Sequence, residues 1–196
     1  MRFRCCLGLL CGAALASGAS AQQKKTRPQF GGAVEWRTQV GTVADSADRR
    51  TGLALRFVAD GGWMPYLGWR AEGAYIQAQY ERRIEGGTVP LNESGYEIAG
   101  FVRAGRLTAG KWVPYAMGGS ILSLRGTCSL DNGFSYDSEV RCEDATTIRV
   151  GWGAGAGVRY RGGMAGWDFF METRFISGVT SASGGKLFAI SFGAGM

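Results

Sequence analysis

From Ile148 to Tyr160, two kinds of residue alternate without a break. One set is apolar or aromatic, with Ile148, Val150, Trp152, Ala154, Ala156, Val158 and Tyr160. The other set is glycine or arginine, with Arg149, Gly151, Gly153, Gly155, Gly157 and Arg159. A period of two is typical of a β-strand whose two faces meet different surroundings. The segment exceeds the usual strand length of about 5–6 residues and suits a tilted strand that crosses a membrane in about 9–11 residues.

The same pattern extends over most of the chain. It predicts eight strands, at about 31–43, 51–59, 65–80, 94–106, 113–125, 147–160, 168–176 and 186–196. The connections after the second, fourth and sixth strands are short, whereas the others are mostly longer and more polar, the longest being 126–146. Short turns at one end and long loops at the other are typical of a transmembrane meander. The predicted fold is therefore all-β, an eight-stranded antiparallel up-and-down transmembrane β-barrel.

Every charge in the middle of a strand falls on the same face as that strand's small and polar residues. We expect this face to line the barrel interior as a charge network of Glu35, Arg37, Arg56, Arg70, Glu72, Glu97, Arg103, Arg149, Arg159, Glu172 and Arg174. Glu72 and Glu172 are the expected hubs, and glycines on this face leave room for long arginines. The set has an excess of about three positive charges. Eight strands enclose a lumen that side chains can fill, so the network is expected to close it.

Alternation alone does not say which face points inward. A soluble, lipocalin-like ligand-binding barrel has the same period with its apolar face inside. The strand lengths and the many aromatic residues on the apolar face favour the membrane arrangement instead. The lipocalin-like barrel remains an alternative.

A short motif recurs after the short turns. Gly62-Trp-Met-Pro-Tyr66 resembles Lys111-Trp-Val-Pro-Tyr115 and, more loosely, Gly166-Trp-Asp-Phe-Phe170. The motif places Trp63, Trp112 and Trp167 at one rim of the barrel. Tryptophan is enriched where lipid meets water, so these residues are expected to form an interfacial aromatic girdle.

The first residues have the pattern of an export signal. Two arginines precede a short apolar run, and Ala19-Ser-Ala21 provides a small-residue cleavage site. We therefore expect residues 1–21 to be a cleaved signal peptide, residues 22–29 a polar leader and residues 30–196 the barrel domain. Cleavage lowers the net charge from +6 to +4 and leaves two cysteines, Cys128 and Cys142. In an exported protein this pair predicts one disulfide.

With these features, the chain resembles the eight-stranded outer membrane protein β-barrel domains of Gram-negative bacteria, the OmpA, OmpX and opacity-protein type. The segments that carry the likeness are Pro114–Gly119, Trp152–Val158, Phe170–Phe175 and the alternating last strand. The resemblance implies a location in the bacterial outer membrane, contact with outer-membrane lipid and insertion by the barrel-assembly machinery. Such barrels usually end in an aromatic residue, whereas this sequence ends in Met196.

Composition limits the chemistry of the chain. There are no histidines, so the commonest general base is missing, and we expect no enzyme activity and neither a metal nor a cofactor. Basic residues are spread over the strands without an aromatic-interleaved patch, so no nucleic-acid partner is expected. The predicted role is structural or surface-interacting through the longer loops, and a porin-like narrow pore for small solutes is the first alternative.

Overall fold

Eight antiparallel strands make up the regular structure of the described residues. A computed structural model describes residues 28–40, 50–84, 87–107, 110–130, 148–162, 166–179 and 185–196. The strands are β1 (Gln29–Val40), β2 (Arg50–Met64), β3 (Leu67–Ile84), β4 (Gly87–Gly105), β5 (Trp112–Leu130), β6 (Ile148–Tyr160), β7 (Asp168–Ser177) and β8 (Lys186–Gly195). Each strand pairs with its sequence neighbours, and the sheet closes into a barrel. The predicted fold class, an eight-stranded antiparallel barrel, is confirmed. Within the described ranges, no helix is long and apolar enough to cross a membrane.

The first and last strands complete the cylinder. The ladder between β1 and β8 runs from Gly31 opposite Gly195 to Val40 opposite Lys186. Two further backbone hydrogen bonds of 2.9 Å join Phe30 and Met196. Pairing of the first strand with the last satisfies the edges that an open sheet would expose. Gln29, which the sequence assigned to the leader, is already part of β1, while the predicted signal peptide lies outside the described residues.

The strands around the third connection are longer than expected. The sequence suggested a loop from about 81 to 93, but β3 continues to Ile84 and β4 begins at Gly87, with these two residues paired. The alternation of apolar and polar residues fades in this segment. Backbone ladder hydrogen bonds need no apolar face, so paired strands can continue where the hydrophobic pattern has stopped.

The two faces of the sheet have opposite characters. Large apolar residues point outward and stay exposed, among them Leu55 (63%), Phe57 (71%) and Val150 (72%). Arginines and carboxylates point inward and are buried. This orientation is the reverse of the lipocalin-like alternative, which the structure therefore disfavours.

The interior also contains apolar side chains, which the sequence analysis did not predict. A buried cluster lines part of the lumen wall, made of Phe101, Leu107, Tyr115, Met117, Ile121, Ile176, Val179, Leu187 and Ala189. Some of its rings lie against guanidinium groups: Arg103 is 4.0 Å from the ring centroid of Tyr115, and Arg174 is 5.3 Å from that of Phe101. Aromatic faces attract cations, so apolar and charged residues share the lumen without conflict.

Candidate functional site

The charged barrel interior is the candidate site. Ten of the eleven predicted interior residues are buried there, namely Glu35, Arg37, Arg56, Arg70, Glu72, Glu97, Arg103, Arg159, Glu172 and Arg174. Arg149 is only half-buried. We call these ten residues, together with Asp60 and Asp168, the inner network.

The centre of the inner network is a ring of four ion-paired side chains. Arg174 donates to Glu35 at 2.7 Å and to Glu72 at 2.8 Å. Arg56 donates to Glu35 at 3.0 Å and also pairs with Glu72. Arg174 is on β7 and Glu72 is on β3, which lie four strands apart in a ring of eight and so on opposite walls. The ion pairs therefore cross the lumen.

Glu172 forms a second crossing next to this ring. It pairs with Arg70, which is again on the opposite wall, and accepts a hydrogen bond from the hydroxyl of Tyr115. Arg56 Nη1 and Ser191 Oγ lie 3.4 and 3.5 Å from its other oxygen. Glu172 and Glu72 thus each contact several partners, as do Glu35 and Asp60.

Arg37 extends the network along the axis, away from the tryptophan rim. Its Nε donates to Glu35 at 2.6 Å and its Nη2 donates to Glu97 at 2.7 Å. These contacts link β1 to β4. Arg37 and Glu97 also line a small cavity of about 50 Å³ above the ring.

Asp60 organises the opposite end of the network, near the short turns. Arg70 binds both of its oxygens, at 2.7 and 3.1 Å. Arg103 lies 3.0 Å from Asp60 Oδ1, and Arg159 pairs with Oδ2. One carboxylate thus contacts three guanidinium groups.

Asp60 and Asp168 were not predicted from the sequence as interior residues. Asp60 was placed in a turn, and Asp168 was left out of the interior set. Asp60 lies four residues after Arg56, and Asp168 lies four residues before Glu172. Because side chains two residues apart in a strand share a face, this spacing already predicts that both aspartates point inward.

The two additional carboxylates change the charge balance. In the described part of the chain, six arginines and six carboxylates are buried. The expected excess of about three positive charges is wrong for this buried set, because two acidic residues join it and Arg149 is not fully enclosed. Buried charges are costly unless paired, and equal numbers allow the interior to be neutral.

Glycines on the inner face of β6 make room for the network. A Cβ atom at Gly155 would lie 2.7 Å from Cγ of Arg174, and one at Gly157 would lie 2.8 Å from Cγ of Glu172. Real Cβ contacts are almost never that short. Gly155 and Gly157 are thus places where long charged side chains pass, whereas Gly153 lies against the apolar side chains of Ile121 and Phe101.

Aromatic residues mark both ends of the outer wall. Trp63, Trp112 and Trp167 are exposed near the short turns, at 49%, 64% and 38%, and the rings of Trp112 and Tyr160 are 4.8 Å apart. Towards the other end lies a second set of paired aromatic rings that was not predicted from the sequence: Tyr75 with Tyr96, and Trp152 with Phe175.

The predicted disulfide cannot be placed in this geometry. Cys142 and the side chain of Cys128 lie outside the described residues. The pairing of the two cysteines stays a prediction.

Comparison with solved structures finds the same fold. The crystal structure of Neisserial surface protein A matches with a TM-score of 0.58 and 14% identity, over 88% of this chain and 97% of that one. Ail of Yersinia pestis, crystallised with a heparin analogue, has a TM-score of 0.45 and 12% identity, over 86% and 94%. The N-terminal barrel domain of Pseudomonas aeruginosa OprF has a TM-score of 0.38 and 11% identity, over 87% and 100%. No family model and no curated protein sequence matches the chain. The match to the Neisserial protein, with a TM-score above 0.5, shows that the barrel fold is shared.

Proposed function

We propose that the protein is an integral protein of a bacterial outer membrane, with a structural or surface-interacting role carried by its longer connections. The observation that carries this proposal is the inverted barrel, with apolar residues outside and ion-paired charges inside. Such a surface is costly in water and favourable in lipid. The outer-membrane location of the structural neighbours supports the proposal.

The height of the apolar wall fits a bilayer. On β6, Trp152 and Tyr160 belong to the aromatic sets at the two ends. Their separation along the strand is about 26 Å at the usual rise per residue, or about 20 Å along the axis for a tilt of about 40°. Outer-membrane barrels have an apolar band about 25 Å tall between aromatic girdles. We therefore assign Trp63, Trp112 and Trp167 to the periplasmic girdle.

The lumen is proposed to be closed rather than conducting. Arg174 with Glu72, and Arg70 with Glu172, join opposite walls, and eight strands enclose an interior just wide enough for side chains to fill. We expect no steady conductance in planar bilayers. Reproducible channels from the purified protein would instead support the narrow pore.

The proposed partners follow from this location. The outer wall contacts outer-membrane lipid, and the barrel-assembly machinery inserts the chain. The longer connections would bind a surface partner, and we propose a binding rather than a catalytic role, in keeping with the lack of the commonest general base, histidine.

Detergent dependence and heat-modified gel mobility test the membrane assignment. The mature protein should fractionate with outer membranes, require detergent, and migrate differently on denaturing gels before and after boiling. A closed barrel resists detergent unfolding because it has no free edge. A protein that is folded and freely soluble without detergent would overturn the proposal.

A further inference from the structure

A second cavity opens at the short-turn end of the lumen, below the crossing ion pairs. Its volume is about 440 Å³, and Gln29, Asp60, Arg103, Val113, Arg159 and Arg161 are among the residues that line it. A water molecule occupies about 30 Å³ in the liquid. The cavity is therefore large enough for a small ligand together with water.

The polar lining of this cavity is rich in cations. Arg103, Arg159 and Arg161 face one carboxylate, Asp60, which is also bound at both oxygens by Arg70. Arg161 donates to the backbone carbonyl of Leu107, a neutral acceptor. Asp168 also lies at this end, with its Oδ2 3.4 Å from Nε2 of Gln29, so the three arginines of the lining exceed the two neighbouring carboxylates by one positive charge.

Two of these arginines carry unused donors. Arg103 and Arg159 are 4% and 5% exposed, and the Nε of each is buried with no hydrogen-bond partner in the described ranges. A buried donor without an acceptor is unfavourable, because it has lost its hydrogen bond to water. Arg103 is held in place by the ring of Tyr115 and by Asp60, so its guanidinium has a fixed position in the lining of this cavity.

We propose that this mouth binds one oxyanion of the phosphate class, with Arg103 and Arg159 as the buried donors and Arg161 at the entrance. Arginine suits such a ligand because its planar fork matches the geometry of phosphate oxygens. The phosphate can come from a free anion or from a lipid headgroup at the rim, where Trp63 and Trp112 are exposed. Only the lipid source rests on the proposed membrane location.

Nuclear magnetic resonance of the arginine Nε–H groups tests the site directly. The protein would be folded in an alkyl maltoside, which contains no phosphate, and titrated with inorganic phosphate at constant ionic strength. We expect saturable shifts of the Arg103 and Arg159 signals. The Arg174 Nε, which also has no partner but lies in the central ring, should not move.

Matched variants separate the site from general charge effects. Arg161→Gln removes a half-buried charge at the entrance and should weaken phosphate binding at least tenfold while the barrel stays folded. Arg106→Gln removes the same charge from an exposed position in a turn at the same end and should leave affinity within twofold. Arg103→Gln should abolish the shift of Arg159, and unboiled gel mobility would show whether that variant has folded.

The same titration in lipid nanodiscs identifies the source of the phosphate. Signals already shifted in phosphatidylglycerol nanodiscs and insensitive to added phosphate indicate a headgroup, whereas a response to added phosphate in both media indicates a free anion. Either result supports the site. No shift in any medium, or equal weakening by Arg161→Gln and Arg106→Gln, would overturn it. The detergent titration needs only a folded barrel, so it can succeed even if the membrane assignment fails.

Discussion

Replacing Glu172 by alanine should destabilise the barrel without opening it. The carboxylate links Arg70 on the opposite wall to Tyr115, with Arg56 and Ser191 at 3.4 and 3.5 Å. Its side chain is fully buried. Alanine would remove the acceptor for all four groups and leave their donors in the interior.

The expected cost follows from the remaining partners. Removing one member of a buried ion pair costs about 3–5 kcal/mol. Arg70 keeps both contacts with Asp60, and Arg56 keeps Glu35 and Glu72, so neither guanidinium loses all its acceptors. We therefore expect the lower end, about 3 kcal/mol. Glu172→Gln preserves shape and one acceptor oxygen, and should cost less than Glu172→Ala.

Urea unfolding of the protein in lipid vesicles, followed by tryptophan fluorescence, measures this difference. Thr173→Ala is the matched control, because the next residue on the strand points outward and is exposed, and its effect should stay within about 0.5 kcal/mol. Conductance of the Glu172→Ala variant should stay at the background level. A loss below 1 kcal/mol, or a steady channel, would refute the view that this carboxylate holds the closed lumen together.

Three further expectations concern the wall, the lumen and the long connection. Ala154→Arg places a charge on the exposed outer face and should cost about 2–4 kcal/mol near the bilayer midplane, seen as a lower folded fraction on unboiled gels; a harmless substitution would contradict the lipid-facing assignment. Gly157→Ala should destabilise by about 1–3 kcal/mol through overpacking, whereas Gly73→Ala, whose Cβ meets nothing within 4 Å, should be close to neutral in the same urea assay. Cys128 and Cys142 should escape alkylation in the unreduced protein, because cysteines joined in a disulfide have no free thiol. A bridge closing about 15 residues is worth about 3 kcal/mol of stability in the chain-entropy model. Mass spectrometry that finds both cysteines labelled would reject the bridge.

The number of strands and the inward or outward orientation of their side chains could be predicted from the sequence. Successive side chains of a strand point to opposite sides, so the charges of β1 and β7 could be assigned to one face before any pairing was known. The apolar inner residues Phe101 and Ile121 were harder to predict from the sequence. They break the rule that small and polar residues line the lumen.

Which side chains pair with each other inside the lumen is determined by the closed barrel. Alternation assigns Glu72 and Arg174 to the inner face, but it carries no information on how far along the axis each side chain lies. That height is set by strand stagger and by the closure of β8 onto β1, which are properties of the whole ring. For the same reason, only the folded barrel shows that Asp60 gathers three arginines at one mouth: Arg70 lies opposite Asp60 in the β2–β3 ladder, but Arg103 and Arg159 come from β4 and β6.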